Sequence, residues 1–227
     1  MSSTVPISDK SGSPMAAFQE PDLTGWLGGH DVMRTQFGLL ADAATDVSLS
    51  ETLRIAALED HVAFMTRRLT WHHGHEDAEI WPALRRADSS LDDLLDDLEQ
   101  DHERLDDLLA LCNASDESLP RRAPVLRELH RQISAHFLRE ETEVVPVIRR
   151  VIPASAWALG DRRFEEELGA DRGMALAWLI GHLPVPARPG FLAELPPLVR
   201  ELYETEWRPT HIGQVALMYG SEAAQSL

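Results

Sequence analysis

The sequence predicts an all-α protein, an antiparallel four-helix bundle followed by a C-terminal helical extension. Three observations predict it. Apolar residues recur in steps of three and four along four long stretches, which gives each helix one buried stripe. No useful length alternates with period two, so strands are not expected. Short segments containing Ser or Pro separate the stretches, and helices joined by short connections pack as antiparallel neighbours.

Residues 1–20 are rich in Ser, Pro and Gly and read as a disordered tail. The first stripe is Leu23, Trp26, His30, Met33, Phe37, Leu40 and Ala44. "SLSETLR" then offers Ser48 and Glu51 as a capping box. The second stripe runs through Leu58, Val62, Met65, Leu69, His72, Glu76 and Ile80, with Pro82 expected to halt or kink the helix. The third is Leu91, Leu95, Leu98, His102, Leu105, Leu109 and Cys112, and "SDESLPRRAP" reads as the turn that follows. The fourth is Leu126, Leu129, Ile133, Phe137, Glu140 and Val144, with His136 beside Phe137 and Pro146 near the end. These stretches assign the bundle to residues 21–152. Residues 153–227 read as shorter helices broken by Pro and Gly, too interrupted to stand alone and expected to pack on the bundle.

Composition removes several function classes. With 44% hydrophobic residues in 227, a substantial core is available. A net charge of −17 argues against a nucleic-acid partner and against an anionic membrane surface, since both need a cationic footprint. The single cysteine, Cys112, excludes an internal disulfide framework and suggests a reducing compartment. The N-terminus lacks the pattern of a secretory signal, and no apolar run reaches the roughly 20 residues of a membrane span. The expectation is a soluble cytoplasmic protein, its oligomeric state open.

One pattern occurs twice. "HHGHEDAEIWP" (72–82) and "HFLREETEVVP" (136–146) share His-x-x-x-Glu-x-x-Glu-x-x-Pro. The first His and Glu of each copy occupy core positions and stack on one helix face, being four apart. His30 and His102 sit on the other two stripes. Six such side chains at similar depth would converge inside a bundle. An unpartnered buried carboxylate costs several kcal/mol, against a total stability of about 5–15 kcal/mol. Mutual salt bridges offset only part of that cost, and a metal centre is the simpler account. Imidazole with carboxylate suits iron, manganese or zinc, and the lack of paired cysteines argues against structural zinc. Bundles with inward Glu and His commonly hold two metals bridged by carboxylates. The repeat therefore supplies two halves of one centre.

"GHDVMR", "HHGHEDAEIWPAL", the lone His of "EQDHERLDDLL" and "HFLREETEVVPVI" together resemble the hemerythrin-like (HHE cation-binding) proteins over residues 22–150. The resemblance implies a non-haem di-iron site that meets dioxygen, peroxide or nitric oxide, with manganese an acceptable substitute. By position, His30, His72, His102 and His136 match terminal ligands, and Glu76 and Glu140 match bridging carboxylates. Two departures stand out. Oxygen-carrying hemerythrins have His-x-x-x-His on the third helix, where this chain has Asp106 after His102. They also bridge with an aspartate five residues after the fourth-helix His, where this chain has Glu141. Asp106 falls on the stripe and is left as a ligand, an orienting partner of His102, or a solvated acid. Glu141 is expected off the stripe, so Glu140 is the better bridge.

Other candidates are set aside. His73, about 100° around the helix from His72, is expected at the surface. His75 with Glu79 is a rival pair, rejected because only His72 and Glu76 keep the spacing to the proline. Glu79 and Glu143, common to both copies, are left as outer partners of the ligands or helix-end acids. His61 lies about 16 Å from His72 along the helix and reads as a satisfied core histidine. His130, His182 and His211 carry no pattern.

With two six-coordinate irons, four imidazoles, two bridging carboxylates and an oxo or hydroxo bridge leave roughly two positions open. Three functions follow. The first is binding or reduction of O2, H2O2 or NO for sensing, detoxification or oxidase-type chemistry. The second is oxygenation of a small organic substrate, with the extension forming a lid or pocket from Trp157, Trp178, Trp207 or Tyr203. The third is iron sequestration or a structural metal. A cavity that reaches the centre and exceeds a diatomic molecule favours the second.

Overall fold

The stripe residues named above are buried in the folded chain, with the exceptions of Leu91, which is half-buried, and Asp106, which is exposed. The computed structural model describes residues 18–114, 117–225 and 227, and the regular structure among them is entirely helical. The first seventeen residues of the expected tail lie outside the described residues.

Helix α1 spans Thr24–Asp46. Asp22 Oδ1 ties its start by accepting from the Thr24 amide at 2.9 Å and from its hydroxyl at 2.6 Å. Helix α2 spans Thr52–His75. Only half of the expected capping box forms. The Ser48 amide donates to Glu51 Oε2 at 2.8 Å, but the Glu51 amide bonds the Ser48 carbonyl rather than its hydroxyl.

The prolines do not halt the helices. A wide turn, Glu76–Ile80, carries α2 directly into α3, Trp81–Ala87. Proline at 82 cannot donate to the carbonyl of Ala78 and its ring crowds that carbonyl. Widening the turn, so that the Trp81 amide bonds the carbonyl of Glu76 five residues back, relieves the clash. The second copy of the repeat does the same. Helix α4 is Asp92–Cys112, α5 is Leu119–Arg139, and the wide turn Glu140–Val144 leads α5 into α6, Val145–Val151. Helix α5 begins inside the stretch read as a turn, residues 115–116 of which lie outside the described residues. Pro120 occupies its first turn, where a missing amide costs nothing.

Helix α1 lies against α2 and α5, and α4 lies against the same two. The core divides into two apolar clusters. One holds Phe37, Leu40, Leu58 and Leu126; the other holds Trp81, Leu84, Leu95 and Ile148. Along every long helix, the polar stripe residue marks the passage from one cluster to the other. His30 lies between Trp26 and Met33, and His102 between Leu98 and Leu105. A polar layer therefore crosses the bundle at one depth.

The remaining helices are α7 (Ala154–Glu167), α8 (Arg172–His182), α9 (Arg188–Glu194), α10 (Pro197–Leu202), α11 (Arg208–Tyr219) and α12 (Ser221–Ala224). A third wide turn, Tyr203–Trp207, again precedes a proline, Pro209. Helix α8 packs on α1 and α11 on α2. Trp178, Val215 and Met218 join one apolar cluster of the bundle and Trp157 the other. Each such burial stabilises by about 1.5–3 kcal/mol, so these helices supply core rather than cover. No helix among the described residues is long and apolar enough to cross a membrane.

Candidate metal centre

The polar layer brings all six expected residues together. His30 Nε2 lies 3.0 Å from His72 Nε2, and His102 Nε2 lies 3.1 Å from His136 Nε2. The two carboxylates join these pairs. Glu76 places Oε1 3.0 Å from His72 Nε2 and Oε2 3.6 Å from His102 Nε2. Glu140 places Oε1 3.0 Å from His136 Nε2 and Oε2 3.5 Å from His30 Nε2. Each glutamate thus puts one oxygen into each half, and the two halves repeat each other's distances to within 0.1 Å.

The imidazoles are aimed. Each pair meets through Nε2, while the Nδ1 atoms of His30, His102 and His136 face outward to carboxylates. His30 Nδ1 is 3.1 Å from Glu141 Oε1, an oxygen that also accepts from Arg34 at 2.7 Å. His102 Nδ1 is 2.8 Å from Asp77 Oδ1. His136 Nδ1 lies 3.7 Å from Asp101 Oδ2, at ion-pair rather than hydrogen-bond range. Outward acceptors favour the Nδ1–H tautomer and leave the inward Nε2 lone pair free to ligate.

Asp77 and Glu141 occupy equivalent places, each directly after a central glutamate and each bonded to a histidine of another helix. The signal was in the repeat itself, since "HED" and "REE" both carry an acid after the central Glu. The sequence left Glu79 and Glu143 as outer partners of the ligands or as helix-end acids. Glu79 instead lines a cavity, and Glu143 pairs with Arg139 at 3.6 Å. Asp106 is exposed and belongs to neither ligand cluster, so its placing on the stripe does not hold.

His73 requires a larger correction. It is 3% exposed, not at the surface. It forms a group with Glu76, His102 and His136, while His30, His72, Glu76 and Glu140 form the second, each with ligand atoms within 4.8 Å of one another. Helix α2 touches both α1 and α4, so successive residues reach different neighbours. His72 meets His30 of α1, and His73 meets His102 of α4.

Electrostatics fit a cation in this layer. Burial raises the Glu76 carboxyl above the ordinary range. Burial, followed by the neighbouring imidazoles, pushes His72 and His73 well below theirs. Burial also pulls on His136, but Glu140 and then Asp101 outweigh it and raise the imidazole to about 10. Glu76 Oε2, both oxygens of Glu140 and both ring nitrogens of His73 find no hydrogen-bond partner among the described residues, although all are buried. His136 lies near Glu140 Oε1 without the alignment of a hydrogen bond. Buried acceptors left this way are costly, and cations in the layer would satisfy the carboxylate oxygens together with one ring nitrogen of His73. The donor set of imidazole and carboxylate suits iron or manganese.

Beside the centre lies a cavity of about 510 Å³ between α1, α2 and residues of α3, α7 and α8. It reaches His72 and Trp26, whose Nε1 donates to Glu76 Oε1 at 2.9 Å. Trp157 and Trp178 line it; Trp207 and Tyr203 do not. His61 is the satisfied core histidine expected, bonded to Gln36 Oε1 at 3.0 Å and stacked on Trp178. His182 and His211 pack around the same tryptophan.

No curated protein and no solved structure matches the chain. The family model described as hemerythrin HHE cation binding domain matches residues 23–154, a span that takes in all four long helices and every residue of the polar layer. With more than half of its length in that match, the chain belongs to the hemerythrin HHE cation-binding family.

Proposed function

We propose that the chain is a non-haem di-iron protein that binds or reduces a small oxidant, dioxygen, peroxide or nitric oxide. The observation that carries this reading is the division of each carboxylate, one oxygen of Glu76 and one of Glu140 in each half of the layer. His30 and His72 would hold one ion, His73, His102 and His136 the other, with Glu76 and Glu140 spanning both. Bound iron supplies the redox chemistry; manganese fits the same ligands. The chain's own contribution is orientation and exclusion of water. Asp77 and Glu141 fix the rings of His102 and His30, and the apolar clusters seal the layer above and below.

His73 makes the halves unequal, two imidazoles against three. The half with fewer nitrogens contains His72, the residue that the cavity reaches. That placement favours a second reading, oxidation of a small organic substrate, because about 510 Å³ far exceeds a diatomic molecule. A purely structural or storage metal has no use for such an opening.

The test is anaerobic loading with Fe(II), iron analysis, and absorption spectra before and after one pulse of air. About two irons per chain are expected. A charge-transfer band reversed by deoxygenation supports reversible binding, and an irreversibly decaying band supports turnover. Failure to retain iron overturns the reading and returns the layer to a salt-bridge network.

A further inference from the structure

We propose that Trp26 is a positioning residue of the metal centre: its indole N–H fixes the carboxylate of Glu76, so that Glu76 is the held carboxylate of the polar layer and Glu140 the one free to move. The inference rests on the two-metal reading of the proposed function and deepens it.

An indole can only donate, and it has one hydrogen to give. Trp26 gives it to Glu76 Oε1 at 2.9 Å, in a bond buried between α1 and the wide turn after α2. Oε1 is the oxygen that faces His72, at 3.0 Å, whereas Oε2 faces His102 at 3.6 Å. Glu76 Oε2 and both oxygens of Glu140 find no hydrogen-bond partner among the described residues. One N–H therefore distinguishes the two carboxylates.

The halves otherwise correspond. His30 of α1 and His102 of α4 each meet the first histidine of one copy of the repeat, at 3.0 and 3.1 Å. Trp26 stands four residues before His30, and four residues before His102 stands Leu98. Residues four apart share a helix face, so Leu98 is the counterpart of Trp26. Leu98 is as deeply buried but has no side-chain donor. Glu140 Oε1, the oxygen beside His136, is accordingly left without one. Trp81 does not replace the missing bond: its ring lies 6.3 Å from that of His102, and its Nε1 has no partner among the described residues.

A group that positions another must itself be fixed. The Trp26 ring is 4.5 Å from that of His30 and meets Trp157 edge to face at 6.0 Å. With the ring packed, its N–H has one direction, and the Glu76 carboxylate cannot turn away without stranding a buried donor. Removing such a partner from behind a ligating group lowers metal affinity about 10–100-fold. Glu140 has no tether of this kind and can shift as its surroundings change.

The test loads the full chain with Co(II), which takes the same imidazole and carboxylate donors, and compares Trp26→Phe with Trp26→Leu. The first keeps a ring and loses the N–H; the second loses both. The parent chain should take up about two ions. Both variants should hold one of the two about 10–100-fold more weakly, to the same extent, with the visible Co(II) spectrum of that ion altered and cooperative melting of the metal-free form retained. Unequal losses point to packing of the ring and overturn the proposal, as does an affinity in both variants equal to or above that of the parent. If neither variant folds, the assigned Trp26 indole N–H resonance of the parent carries the test. It should resist solvent exchange without metal and shift on loading with diamagnetic Zn(II); rapid exchange or an unmoved resonance overturns the proposal. A parent chain that fails to take up two ions overturns the two-metal reading and this inference with it. A parent that takes up two while both variants match it overturns the role of Trp26 alone.

Discussion

The rings of His73 and His102 lie face to face, 4.0 Å between centroids and 9° between planes. Both nitrogens of His73 are buried without a partner among the described residues, and the ring meets His136 at 5.3 Å. Stacking alone does not account for an imidazole at this position, because a phenyl ring stacks equally well without two stranded polar atoms.

His73→Phe tests that distinction. It preserves the stack and removes the nitrogens, so the metal-free protein should keep or gain stability. Affinity for one of the two metals should fall roughly 10–100-fold. Metal content at limiting iron, compared with melting of the metal-free form, separates a ligand from a packing residue.

Glu76→Gln should have opposite effects on the two forms. Burial raises the Glu76 carboxyl, so its ionised form costs stability once the pH exceeds its ordinary value. An amide removes that cost and still accepts from Trp26. The metal-free variant should melt about 2–4 °C higher at pH 7, as expected for a gain near 1 kcal/mol. Iron loading should then fail to raise the melting temperature as it does for the parent chain.

Metal uptake should release protons. His136 is raised to about 10, burial opposing and Glu140 and Asp101 prevailing, so the metal-free protein carries that proton at neutral pH. Ligation needs the neutral ring. At least one proton per chain should appear on loading at pH 7 in an unbuffered indicator assay, and apparent affinity should strengthen as pH rises toward 10.

Acid sensitivity should come partly from the far side of the bundle. Burial lowers His61 to about 3, with help from the neighbouring His211 and His182, and His211 to about 4, with help from His182, Arg188 and Arg208. Above the ordinary value of 6.5 neither folded nor unfolded chain protonates these rings. As pH falls below it, the unfolded chain takes up protons that the folded chain refuses, and stability declines until the folded values are reached. Urea melts between pH 4 and 7 should therefore show a shallower slope with pH for His61→Leu than for the parent chain.

Much of this was legible. The stripes gave the burial of Phe37, Leu69, Leu98 and Ile133 because a core helix exposes one face only, and the polar residues on those stripes gave the six members of the layer. Three things escaped. His73 was lost because a stripe assumes one inward direction, whereas a helix in a bundle has two neighbours and two inward directions. Asp77 and Glu141 were lost because their partners sit on other helices, and distance along the chain says nothing about those. The wide turns were lost because proline reads locally as a stop. A helix held by packing on both sides of Pro82 and Pro146 instead accommodates the ring by loosening one turn.

The cavity draws its walls from two parts of the chain, one inside the family match and one outside it. His72 and Trp26 belong to the stretch that the family shares, whereas Trp157, Leu176 and Trp178 lie at or beyond its end. Substitutions in the second set can reshape what is admitted without moving any of the side chains that converge on the polar layer. Under the proposed function, the molecule would thereby keep what reacts apart from what admits, so that one could be altered by design while the other stays fixed.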